Sequence, residues 1–148
     1  MTIRLASAAD LPSITRVRTA VRENHLSIEA MAARGITHET IAADMALGHL
    51  GAWVAEDNGK IVAFAMANHT SGKLWALFTD PAYEGRSYGS ALLHTAEDSL
   101  RSKGCTVAEL DTARGSRAEG FYRRRGWVDV SQADGDPDEV YLQKALRV

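Results

Sequence analysis

The chain has 148 residues, 45% hydrophobic and 24% charged, with a formal net charge of −2. This fits one folded domain over residues 1–148, and it argues against two domains, a disordered chain or a fold that depends on disulfides. The small charge gives no pull toward nucleic acid or anionic lipid, no apolar run approaches the ~20 residues that span a bilayer, and one cysteine, Cys105, makes neither an internal disulfide nor a cysteine metal centre.

No leader pattern precedes Asp10, so a signal peptide is not expected, and the lone thiol suits a reducing, cytoplasmic compartment. Ile3 and Leu5 alternate with polar neighbours and predict a short strand. Ser7-Ala-Ala-Asp10 has the form of a capping box, and Pro12 suits a first helical turn. Leu11, Ile14, Val17 and Val21 follow at helical spacing, so a helix is expected to about Glu23. Residues 24–35 show no clear period. Thr37 can cap a second helix running through Ile41 and Met45 to Leu47.

The period then changes to two. Ala52–Ala55 reads as a strand, Asp57-Asn58-Gly59 as a type I′ hairpin turn, and Lys60–Asn68 as the returning strand. Ser71-Gly72 makes another turn. Lys73–Thr79 is a third strand, ended by Asp80-Pro81. Helical spacing returns from Ser87, with Leu92, Leu93, Ala96 and Leu100 on one apolar face. Glu97 and Arg101 are expected as an i,i+4 pair on the other face, and Gly104 as the stop. Val107–Thr112 reads as a strand and Ser116–Arg125 as a helix ended by Gly126. Trp127–Val130 and Val140–Leu146 close the chain as strands around a polar loop. The order β-α-α-β-β-β-α-β-α-β-β predicts an α/β (α+β) fold: a mixed, mostly antiparallel sheet with helices on both faces. Lys73 to Thr112 should be a right-handed parallel crossover, after an antiparallel meander.

Residues 77–90, Leu-Phe-Thr-Asp-Pro-Ala-Tyr-Glu-Gly-Arg-Ser-Tyr-Gly-Ser, take a strand through a turn into a helix. The first N–H groups of a helix lack internal partners and sit at its positive end, which suits a phosphate or pyrophosphate. Gly85 and Gly89 leave room for a ligand to approach the backbone, and Arg86 adds a cation. No lysine follows a glycine as in a P-loop. Gly85 and Gly89 are four apart, which does not make the dinucleotide fingerprint. By itself the stretch also reads as an ordinary strand-loop-helix joint. Residues 117–127, Arg-Ala-Glu-Gly-Phe-Tyr-Arg-Arg-Arg-Gly-Trp, read as a short helix with an aromatic pair. There Phe121 can pack inward while the arginines complement the helix end.

Together these two stretches resemble the GNAT acetyltransferase superfamily. The first is similar to its CoA-binding signature, Arg/Gln-x-x-Gly-x-Gly/Ala, and the second to its Phe-Tyr-x-x-x-Gly-Phe/Trp segment. Glu84 stands at the Arg/Gln position, Ser87 at the first signature glycine, and Gly115 where many members carry an asparagine. The resemblance implies acetyl-CoA as co-substrate, no metal, and acetyl transfer to a primary amine by direct attack. It implies that Leu77, Phe78 and Thr79 run along the pantetheine arm, while Gly85, Arg86, Ser87, Tyr88, Gly89 and Ser90 hold the pyrophosphate. A bulge in the Leu77–Thr79 strand would splay it from Glu109–Thr112, and the Phe78 N–H would bind the thioester oxygen. Tyr122 matches the general acid. Glu109 and Asp111, on one face of the next strand, are the base candidates, and they read equally well as solvent-facing acids. Glu84 is expected to point outward or to pair with Arg86.

Residues 24–35 would form part of the acceptor site. The acceptor stays open between a small amine or amino acid, an antibiotic, and a protein N-terminus or lysine. A homodimer also stays open; no nucleic acid or membrane partner is expected. The alternative reading is a non-catalytic acyl-CoA-binding regulatory domain. A dinucleotide oxidoreductase is disfavoured by the meander and the missing fingerprint. The five histidines show no metal-ligand spacing. Asp134–Glu139 lacks the glycine and glutamate placement of a calcium loop and reads as the turn between the last two strands. Cys105 reads as a packing residue, and Trp53 and Trp75 as core or cleft wall.

Overall fold

A computed structural model describes residues 2–21 and 28–146. Strand β1 (Thr2–Leu5) leads through a 3-10 turn at Ala8–Asp10 into α1 (Leu11–Ala20), α2 (Ile28–Ala33) and α3 (His38–Ala46). The meander β2 (Leu50–Asp57), β3 (Lys60–Asn68) and β4 (Leu74–Thr79) follows. Then come α4 (Tyr88–Ser102), β5 (Val107–Ala113), α5 (Arg117–Arg123), β6 (Val128–Asp129) and β7 (Glu139–Ala145). The expected order holds, with α2 added. Six residues are too few to show a helical period, so α2 left no pattern to read. The first helix stops at Ala20, short of the expected Glu23: Val21 is already extended, with φ of −71° and ψ of 148°.

The hairpin turn forms as its residues require, with φ of 52° at Asn58 and 78° at Gly59. Strands β1–β4 make an antiparallel sheet in chain order, and β5-β7-β6 make a second. The two are joined by one parallel bridge, Lys73 with Glu109, where the Glu109 N–H donates to the Gly72 carbonyl at 3.0 Å. The mixed sheet is therefore held at one end of β4 and split toward the other. Met66 faces Ala76 and Ala67 faces Leu74, so Trp75 is an extra residue in β4. Such a bulge bends a strand and increases its twist. The split opens just past it.

Alternation along β3 feeds two cores. Ala63, Ala65 and Ala67 face α4, while Phe64 and Met66 face α1. Alanines keep that first face shallow, which lets α4 lie close. It buries Leu92, Leu93, Ala96 and Leu100, as the sequence predicts. The Glu97–Arg101 pair does not form. Glu97 is only 6% exposed and faces the second sheet, where it meets Lys144 Nζ at 2.7 Å and accepts from Trp127 Nε1 at 3.3 Å. Arg101 pairs with Asp98 instead. Cys105 is partly buried and its thiol meets the His69 carbonyl at 3.3 Å. Among the described residues no helix is long and apolar enough to cross a membrane.

Candidate active site

The split between β4 and β5 exposes backbone. The Asp80 N–H donates to the Val62 carbonyl at 2.8 Å, which fixes the hydrogen-bonding phase of the β3–β4 ladder. In an antiparallel pair that phase alternates, so Ala76 and Phe78 direct their N–H and C=O groups to β3. Leu77 and Thr79 direct theirs into the opening. The sequence assigned the oxyanion contact to the Phe78 N–H; strand alternation turns that group toward β3, and its neighbours face the cleft.

Beyond β4, the Asp80 carboxylate accepts from the Ala82 N–H at 3.0 Å and from Arg16 Nη1 at 3.1 Å, tying the turn to α1. Gly85 and Ser87 then adopt left-handed backbone, with φ of 77° and 68°. Glycine takes that conformation without strain and serine does not, which gives a reason for the signature's glycine at position 87. Ser87 is the N-cap of α4, yet its hydroxyl caps nothing. Tyr88 turns inward: it is buried, and its hydroxyl donates to Asp57 Oδ2 at 2.8 Å. Arg86 lies 3.7 Å from the same carboxylate and over the Tyr83 ring. Glu84 pairs with Arg117 at 3.0 Å rather than with Arg86.

Helix α5 closes the opposite wall. Ser116 caps it by accepting from the Glu119 N–H at 3.2 Å. Gly115, just before the cap, donates its N–H to Glu119 Oε1 at 2.8 Å. Arg125 stacks on Phe121, 3.8 Å from the ring centroid, and donates through Nε and Nη2 to the Ser90 hydroxyl. A Cβ built on Gly89 would sit 3.5 Å from Phe121 Cζ. That is ordinary van der Waals contact, so the packing of α4 on α5 leaves room for a small side chain at this position. The end of β4, residues 83–90 and α5 line a cavity of about 1050 Å³.

A second cavity, of about 440 Å³, lies on the α1 side of β4 and reaches β5 and β7. Tyr122 lines both cavities, together with Leu77, Phe78 and Ala118. Its ring packs edge-on against Phe121 and Trp127 at 5.3 and 5.6 Å, and it is 7% exposed. Its hydroxyl has no hydrogen-bond partner among the described residues. Burial raises its pKa well above the ordinary phenol value, so it is neutral and protonated at physiological pH.

The two base candidates separate. Asp111 lines the smaller cavity and is paired with Lys73 Nζ at 3.0 Å. Glu109 lines neither cavity. The sequence missed two groups on the smaller cavity, Glu139 and Arg18. Glu139 reads in sequence as the last acid of a turn, but it is the first residue of β7, opposite Ala113. Burial pushes its carboxyl pKa up, and Asp111, Asp136 and Asp138 push it further. Arg18 reads as a polar position of α1; it stands 4.1 Å over the Phe78 ring. Trp75 lines this cavity and Trp53 is buried in the core. No group of three or more His, Cys, Asp or Glu among the described residues could hold a metal.

The model of the acetyltransferase (GNAT) family matches residues 15–127. The chain belongs to that family. It is an acetyltransferase with acetyl-CoA as its co-substrate. The PaiA N-acetyltransferase of Thermoplasma acidophilum, solved with coenzyme A, is 19% identical; the match covers 98% of this chain and 99% of that one, with a TM-score of 0.78. The ribosomal-protein-S18-alanine N-acetyltransferase of Escherichia coli is 20% identical over 99% of this chain and 94% of that one, with a TM-score of 0.77. The ribosomal-protein-alanine N-acetyltransferase of Brucella melitensis is 23% identical over 99% and 100%, with a TM-score of 0.76. At these identities the likeness is one of fold, and it extends the GNAT architecture over nearly the whole chain. No curated protein sequence matches this GNAT chain significantly.

Proposed function

We propose that this GNAT enzyme transfers acetyl from acetyl-CoA to a primary amine by direct attack, with the cofactor in the larger cavity and the acceptor in the smaller. The observation that carries the reading is the position of Tyr122 on the wall common to both. The larger cavity suits CoA in kind: a free strand edge at Leu77 and Thr79, then a helix start whose N–H groups face an opening. The backbone of Leu77 and Thr79 pairs with the pantetheine amides. The N–H groups from Gly85 to Ser90 receive the pyrophosphate, with the Arg86 cation beside them. Phe78 contributes its ring to the acceptor side.

Acetyl-CoA supplies an activated acyl carbon and a thiolate leaving group. A cleft-facing N–H of β4 stabilises the charge that grows on the thioester oxygen. Tyr122 donates a proton to the departing sulfur; being neutral, it holds that proton at any physiological pH. Of the two predicted bases only Asp111 lines the acceptor cavity, and there Lys73 holds it at 3.0 Å. A protein amine and a small amine both fit this chemistry; the names of two structural neighbours give a ribosomal-protein alanine as acceptor. The free Cys105 thiol suits a cytoplasmic setting.

Calorimetry with CoA and acetyl-CoA, followed by a thiol-release assay over a panel of amines, tests the reading. Binding together with amine-dependent thiol release is the expected result. Folded protein that binds acetyl-CoA and releases no thiol with any amine overturns it in favour of a regulatory domain.

A further inference from the structure

The smaller cavity holds two ionisable groups of opposite sign that meet no counter-charge. Arg18 is half-buried, and its Nη1 is buried without a hydrogen-bond partner. Its guanidinium stacks on Phe78, and no carboxylate among the described residues pairs with it. Arg34 lines the same cavity and adds a second positive charge near it. Across the cavity, Glu139 Oε2 is likewise buried without a partner. The nearby Asp111 is already committed to Lys73, and Asp136 and Asp138 add negative charge on that side.

An unpartnered buried charge is costly, and a fold relieves it by pairing or by neutralisation. Arg18 and Glu139 do neither with each other. The cavity thus has a cationic end on α1 and α2–α3 and an anionic end on β5 and β7. A volume of about 440 Å³ is that of a small-molecule site.

We propose that the acceptor is a small amino-carboxylate, an amino acid or a short ω-amino acid, whose carboxylate sits on Arg18 with Arg34 and whose ammonium sits on Glu139. This rests on the acetyltransferase reading above. Arginine offers a planar fork that matches a carboxylate, and Phe78 holds the fork's face. A peptide N-terminus presents an amide where Arg18 awaits an anion. Glu139 accepts one proton from the ammonium. The freed nitrogen forms the C–N bond as the C–S bond breaks. The nitrogen's second proton replaces the one Tyr122 gives to sulfur, so the balance is one amide, one free thiol and one proton released.

The test measures thiol release from acetyl-CoA with the standard amino acids, β-alanine and 4-aminobutyrate, each against its carboxamide. Calorimetric titration of the same compounds into the CoA complex runs in parallel. The expected result is at least one acid favoured over its carboxamide by tenfold or more in kcat/KM and in affinity. In Arg18→Gln that acid's KM rises ~10–100-fold while the carboxamide's stays within twofold, and Arg18→Lys recovers part of the loss. Arg34→Gln provides a second variant, with a smaller rise, should Arg18→Gln fail to fold by circular dichroism. Carboxamides or plain amines that bind and react as well as every acid overturn the proposal and leave acetyl transfer standing. Thiol release confined to protein N-termini does the same. Turnover of neither kind, with the acid-selective heat still present and lost in Arg18→Gln, overturns the transferase reading while the binding site stands.

Discussion

Glu84 and Arg117 pair at 3.0 Å on the lining of the larger cavity, linking the turn after β4 to the first residue of α5. Both side chains are largely exposed, so the pair itself adds little to stability. Its effect is electrostatic: it sets a carboxylate beside the proposed phosphate site. Glu84→Gln should leave the melting temperature nearly unchanged and tighten CoA binding several-fold at low salt. The gain should shrink at 0.5 M salt, where screening is short-ranged. Calorimetric titration at two ionic strengths checks it.

Ser87 holds a backbone conformation that costs a non-glycine residue ~1–2 kcal/mol, and glycine returns up to ~1 kcal/mol of that as extra unfolded-state entropy. Ser87→Gly should therefore stabilise the protein by about 0.5 kcal/mol in urea unfolding. CoA affinity should move by about 1 kcal/mol or less, since both residues keep the N–H. Gly89→Val should be far worse, losing tenfold or more in CoA affinity. A Cβ there makes only ordinary contact with Phe121, but the two added methyls would crowd the N–H groups proposed to receive the pyrophosphate. Normal CoA binding by a folded Gly89→Val protein would contradict this account.

Tyr122→Phe keeps the ring against Phe121 and Trp127 and removes only the hydroxyl. Turnover should fall ~10²–10⁴-fold with acetyl-CoA affinity within twofold. Because burial raises the phenol's pKa, the wild-type rate should show no alkaline fall attributable to Tyr122 below the ordinary phenol range. Steady-state kinetics from pH 6 to 9.5, with calorimetry at one pH, test both statements.

Glu97 and Lys144 join α4 to β7 beneath Trp127. Removing one member of a buried pair leaves the other uncompensated, at a cost of roughly 3–5 kcal/mol. Lys144 keeps some solvent contact, so the lower end applies to Glu97→Ala. Chemical denaturation should show that loss, and a change under 1 kcal/mol would mean that water replaces the carboxylate.

Glu139 has a folded-state pKa raised above its unfolded value, so the native state holds its proton more tightly. Stability from this group is then greatest below the ordinary carboxylate range and falls as pH rises toward the raised value. Glu139→Gln lacks that penalty. Without ligand, its melting temperature should pull ahead of wild type as pH climbs from 4 to 8. A constant difference across that range would show that Glu139 titrates as it does in the unfolded chain.

Much of the fold was legible because its signals are local. Asn58-Gly59 has few alternatives as a two-residue turn, and the spacing of Leu92, Leu93, Ala96 and Leu100 admits one buried face. What escaped depends on partners distant in the chain. Glu97 looks like a surface acid until β7 brings Lys144 against it. Glu139 sits in a run of acids, and only its pairing opposite Ala113 turns it toward a cavity. Phe78 was one residue out as a backbone donor, because the hydrogen-bonding phase of β4 is set by its register with β3. The Trp75 bulge sits in that same ladder, and neither leaves a mark in the residue types.

The single bridge between Lys73 and Glu109 leaves Leu77 and Thr79 as a bare strand edge inside the molecule. Such an edge is a template on which another extended chain can add itself. Helix α5 lines the same cleft, and the pantetheine arm is the extended chain proposed to enter it. In the proposed binding mode the cofactor takes the place of a missing strand. Protein stripped of CoA should self-associate more readily on storage and warming than protein kept saturated with it, apart from the rise in melting temperature that any ligand confers by mass action.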